Sequence, residues 1–91
     1  MTEKEAAEKI RYPQNFDIMV IVSATVPLDE SKKNISRAFS TCKAIHSFIS
    51  TRASSKGNYL TYTYNIDIDS QEQMNAVYDA LKDVSGIKFA L

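Results

Sequence analysis

The side chains with chemical potential in this sequence are few and scattered. The single histidine, His46, and the single cysteine, Cys42, stand four positions apart, the spacing of neighbours on a helix face. Two ligands do not make a zinc site, and no further His or Cys is present to complete one. Cys42 therefore reads as a small core residue. Asn65, Asp67 and Asp69 alternate, which invites a calcium reading. A calcium loop begun at Asp67 puts Glu72 in its glycine position and Tyr78 in its final carboxylate position, so the template fails. Solvated carboxylates leading into a helix N-terminus account for them instead. No nucleophile can be matched with a base and an orienting acid, and neither GxxxxGK[ST] nor GxGxxG occurs. Neither catalysis nor a cofactor or metal is expected.

One segment retains binding potential. Ser54, Ser55, Lys56 and Gly57 combine backbone N–H groups, two hydroxyls and an ammonium, with Arg52 just before them and Asn58 just after. Such a loop can converge on a phosphate or carboxylate, which makes a small anionic metabolite one expected partner. The aromatics that follow suggest RNA stacking, because the third strand of the RNA-recognition fold reads basic, glycine, aromatic, small, aromatic, valine, any, aromatic. Starting that signature at Lys56-Gly57 places Asn58, Leu60 and Thr63 where its aromatics belong. Tyr62 and Tyr64 keep phase with Ile66 and Ile68, so they are expected in the core with hydroxyls reaching its rim. Tyr59 alone is left as a platform, and nucleic acid is not an expected partner.

The elements that position these residues follow from periodicity. Phe16, Ile18, Val20, Val22 and Ala24 alternate with Asp17, Met19, Ile21 and Ser23, predicting a central strand. Pro27 closes it, and Asp29 is expected to cap a helix in which Ile35, Ala38, Phe39 and Cys42 recur. That helix ends indistinctly around Ala44-Ile45-His46, and an extended segment starts near Ser47 and runs to Ala53. Ser54 to Asn58 is a turn. Leu60, Tyr62, Tyr64, Ile66 and Ile68 then share one face of the next strand. Ser70 and Gln73 have capping-box spacing ahead of Met74, Val77, Tyr78, Leu81 and Val84, and Gly86 suits the C-terminal cap of that second helix. Ile87, Phe89 and Leu91 alternate as a last strand.

This order predicts an α+β, ferredoxin-like βαββαβ sandwich: a four-stranded antiparallel sheet with two helices on one face and the other face open. A chain of 91 residues holds one such domain, expected over 13–91 behind an N-terminal tail at 1–12. The tail alternates charges without an apolar run, and no later stretch approaches membrane-spanning length. A cytoplasmic protein without membrane contact is expected, in keeping with a lone cysteine.

Eleven basic and eleven acidic residues balance, but unevenly. Lys32, Lys33, Arg37, Lys43, Arg52 and Lys56 fall in a stretch without acids, whereas Asp67, Asp69, Glu72, Asp79 and Asp83 follow with only Lys82 among them. These read as two solvated faces attracting each other across the domain. On the open sheet face, Met19, Ile21 and Tyr59 form a partly apolar patch, the expected interface for a protein partner or for self-association.

Ser54-Ser55-Lys56-Gly57-Asn58-Tyr59, with Tyr12-Pro13 and Phe16 entering the first strand, resembles the YbeD-like family of small bacterial proteins over about Tyr12 to Leu91. The resemblance implies an ACT-domain-like fold, and such folds commonly serve as regulatory modules that bind small metabolites at subunit interfaces. It brings no catalytic residues. Where that family often has proline before the serines, this chain has Ala53. ACT domains admit amino acids at a glycine-bearing loop after the first strand, and Thr25 to Glu30 contains no glycine.

Overall fold

The computed structural model describes residues 12–90, so the tail up to residue 11 and Leu91 lie outside the described residues. The elements are β1 (Gln14–Ser23), α1 (Leu28–Thr41), β2 (His46–Ala53), β3 (Tyr59–Ile68), α2 (Gln71–Leu81) and β4 (Ile87–Ala90). They form one antiparallel sheet in the order β2-β3-β1-β4. The expected βαββαβ order and the central pairing of β1 with β3 are both present.

β1 and β3 are the longest strands, and neither contains glycine or proline, so they can pair along their whole length. Ile18, Val20 and Val22 point one way from β1, and Tyr62, Tyr64, Ile66 and Ile68 point the same way from β3. Ile35 and Phe39 of α1 and Val77 and Leu81 of α2 close over them. Each such side chain contributes roughly 1.5–3 kcal/mol by leaving water, which fixes the register, because a one-residue slip would expose the whole set. Tyr12 packs against this core and donates its hydroxyl to Gln71 Oε1 at 3.1 Å.

Several local expectations are corrected. Asp29 does not cap α1. The N-cap is Pro27, without a side-chain cap bond, and Asp29 and Glu30 lie in the first turn, where they complement the helix dipole. α1 ends in a Schellman motif: Ala44 N–H donates to Phe39 O and Lys43 N–H to Ser40 O, both at 2.9 Å, with Lys43 at φ 61°. β2 therefore begins at His46. The capping box at α2 is half altered. Gln73 N–H donates to Ser70 Oγ at 3.1 Å, but Gln73 Oε1 accepts from Asp69 N–H at 2.6 Å. Gln73 Nε2 also donates to Cys42 O and Lys43 O, tying the start of α2 to the end of α1.

Gly86 does not cap α2, whose C-cap is Lys82. It sits at φ +78° in the turn before β4, where an added Cβ would come within 2.6 Å of Val26 Cγ2. The tyrosine hydroxyls differ from expectation as well. Tyr64 donates to Lys32 O at 3.4 Å, whereas the Tyr62 hydroxyl is fully buried with no partner among protein groups. The two charged stretches do not pair directly: among the described residues the one ion pair is Lys82–Asp79, three residues apart on the surface.

Candidate interaction site on the open sheet face

The face of the sheet away from the helices is ordered by register. Asn15 stands opposite Asp67, Asp17 opposite Asn65, Met19 opposite Thr63, and Ile21 opposite Thr61, with Arg52 of β2 on the other side of Thr61. At one end a polar ladder forms. Asn15 Nδ2 donates to Asn65 Oδ1 at 2.7 Å and Asp67 Oδ1 at 2.6 Å, and Asn65 Nδ2 donates to Asn15 Oδ1 and Asp17 Oδ1, both at 2.9 Å. The carboxylates Asp17 and Asp67 thus bracket two amides, and this end of the face is acidic.

The other end is apolar and cationic. The patch expected at Met19, Ile21 and Tyr59 is on the surface, Met19 being 42% and Tyr59 38% exposed and Ile21 half-buried. Ile21, Ser54, Tyr59, Thr61 and Lys88 line a shallow concavity of about 410 Å³. Lys88 was not foreseen. It is the extra residue of a bulge in β4, since Val22 faces Ile87 while Ile21 faces Phe89. Lys88 Nζ stands 5.5 Å from the centroid of the Tyr59 ring. Alternation after the half-buried Ile87 puts Lys88 on the open side, but its approach to Tyr59 follows from where β4 pairs with β1, which alternation within β4 does not contain.

The hairpin loop is organised by its own hydrogen bonds. Ser54 N–H donates to Tyr59 O, Gly57 N–H donates to Ser54 O, and Tyr59 N–H donates to Ser54 Oγ at 3.1 Å. Gly57 takes φ +73°, as the turn requires. Of the expected anion-binding groups, Ser54 faces the concavity and Arg52 lies one strand away, while Ser55, Lys56, Gly57 and Asn58 form the exposed loop beyond it.

A second constellation, also unforeseen, joins Ser36 of α1 to His46 of β2. Ser36 Oγ is 2.7 Å from His46 Nε2, and His46 Nδ1 is 2.9 Å from Ala44 O. A carbonyl only accepts, so Nδ1 carries a proton, and in the neutral ring Nε2 would accept from the serine hydroxyl. This is the order of a nucleophile, a base and an orienting group. It lacks the donors that acyl transfer requires for an oxyanion, because Ser36 is deep enough in α1 for the surrounding N–H groups to be spent in the helix. The ring stacks obliquely on Phe39, with centroids 5.1 Å apart, and so pins the start of β2 to α1. Cys42 is not an activated thiol either, since burial and then the carboxylate of Asp79 push its pKa up.

Comparison with known proteins agrees with this architecture. The chain is 32% identical over 92 residues to a UPF0250 protein of Neisseria gonorrhoeae and 26% identical over 91 residues to one of Shewanella piezotolerans, in each case across the full length of both. Among solved structures, protein HP0495 from H. pylori superposes with a TM-score of 0.66 at 14% identity, covering all of this chain and 94% of that one. The ACT domain from the GTP pyrophosphokinase of Chlorobium tepidum superposes with a TM-score of 0.59 at 14% identity, covering 87% of this chain and 96% of that one. At that identity the likeness establishes the fold, ferredoxin-like and ACT-like. Residues 7–91 match the family described as Protein of unknown function (DUF493), and the chain, together with its UPF0250 and YbeD-like relatives, belongs to that family.

Proposed function

We propose that this protein is a non-catalytic regulatory or interaction module, acting in the cytoplasm, that engages a protein partner through the hairpin end of its open sheet face. The observation that carries the reading is the concavity lined by Ile21, Ser54, Tyr59, Thr61 and Lys88. Its apolar floor suits an apolar anchor, and Lys88 and Arg52, on the two edge strands flanking the same row, suit acidic flanks, the combination of buried anchor and charged rim that recognition sites use. The ACT domain of a GTP pyrophosphokinase shares the fold and belongs to a larger enzyme, which supports a regulatory reading by analogy alone. The concavity is also within the size range of small-molecule sites, so a small anionic metabolite is the second reading.

The test is capture of partners from the source cell by the tagged protein, beside an Arg52→Glu/Lys88→Glu variant and a Lys33→Glu/Arg37→Glu control on the helix side. The reading expects a specific partner lost only with the first variant. Equal capture by all three proteins would reject the face. Titration of phosphates and carboxylates against the Ser54, Thr61 and Lys88 amides tests the metabolite reading, and unmoved amides would exclude it.

A further inference from the structure

We infer that one partner of the open face is a second copy of this chain, stacked face to face and turned end for end. The inference rests on the preceding reading of that face and names an occupant for it. The argument is charge complementarity. Asp17 and Asp67 mark one end of the face, and Arg52 and Lys88 mark the other, with Met19 in the row between. The face is a dipole.

Two sheets stacked by a two-fold axis must have that axis in the plane between them. An axis along the strands sets each end over its own kind, Arg52 and Lys88 over the copy's Arg52 and Lys88, and is repulsive. An axis across the strands sets the acidic end of each copy over the cationic end of the other. Charge therefore selects the second arrangement.

Position along the strands then selects the register. Asp17 lies two residues before Met19 and Ile21 two residues after it, about 6.6 Å to either side at strand rise. An axis through the Met19 row superposes the Asp17 row on the copy's Ile21 row, beside which Lys88 projects. Met19, 42% exposed, then meets its own copy on the axis. Three strand spacings by the length of β1 give roughly 500 Å² of face per copy, the low end of specific interfaces. The association is thus weak, reversible and salt-sensitive.

The test places a cysteine on the axis. In a Cys42→Ser background, Met19→Cys should form a disulfide dimer under mild oxidation at low salt at least about tenfold faster than Ala76→Cys on the exposed side of α2, since only an axial residue meets itself. Adding Asp17→Lys or Lys88→Asp alone should slow the reaction about tenfold, and adding both should restore it, because each copy then carries the exchanged pair. Restoration also shows that the single variants lose rate through mismatched charge and not through damage done by either substitution alone. A Met19→Cys rate no greater than that of Ala76→Cys, or no restoration by the double exchange, overturns the inference. If it fails while Arg52→Glu/Lys88→Glu still loses a captured partner, self-association falls and the interaction reading stands. If that variant loses nothing as well, both fall.

Discussion

Asn15 and Asn65 exchange amide hydrogen bonds across β1 and β3, 2.7 Å in one direction and 2.9 Å in the other. They are diagonal neighbours, each directly opposite an aspartate in the register. The exchange lets two carboxylates sit on adjacent strands without facing each other bare, since each accepts from an amide instead. This ladder builds the acidic end of the open face.

The ladder predicts coupling. Asn15→Ala and Asn65→Ala should each cost about 0.5–1.5 kcal/mol, and the double variant less than their sum, because either truncation already breaks the exchange. A double-mutant cycle in urea measures this, and strictly additive losses would show that the amides act independently.

Gly57 and Gly86 predict unequal costs for the same substitution. Both have positive φ, at which an L side chain costs roughly 1–2 kcal/mol. Gly57 opens onto empty space, whereas a Cβ at Gly86 meets Val26 Cγ2 at 2.6 Å. Thermal unfolding should find Gly86→Ala more damaging than Gly57→Ala, with Val26→Ala recovering part of the difference. Equal costs would mean that the Val26 contact yields freely.

Tyr64 predicts a loss of stability in alkali. Burial, and then the neighbouring Tyr62, push its phenol up to about 12 from an ordinary value of 10.0. The folded protein holds that proton between pH 10 and 12 while the unfolded chain releases it. The stabilisation is complete below pH 10 and is lost as pH rises through the folded value. Tyr64→Phe should flatten this decline in urea midpoints. An unchanged slope would place the titration elsewhere.

The strands and helices were legible because their signals are local. Ile18, Val20 and Val22 on one strand and Tyr62 to Ile68 on another announce their buried faces by alternation, and Val77 and Leu81 do so by helical spacing. What was missed depends on register between distant segments. Lys88 meets Tyr59 only through the pairing of β4 with β1, and Ile49 is an extra residue between Phe48 and Ser50 in β2. Ser36 and His46 meet because the turn at Lys43 brings β2 back along α1, a geometry set by a non-glycine residue at positive φ. Gly86 stands out in the sequence as a glycine after a helix, but the turn it serves depends on Val26, which is distant in the chain.

The central claim, that the hairpin end of the open sheet is the working surface, is tested most directly by site-resolved crosslinking in the living source cell. A photoreactive phenylalanine derivative is placed at Thr61 on that face or at Arg37 on the helix side. The account predicts a discrete covalent adduct from Thr61, with this chain's own copy or with another protein, and none from Arg37. Silence at Thr61, or an adduct from Arg37 alone, would contradict it.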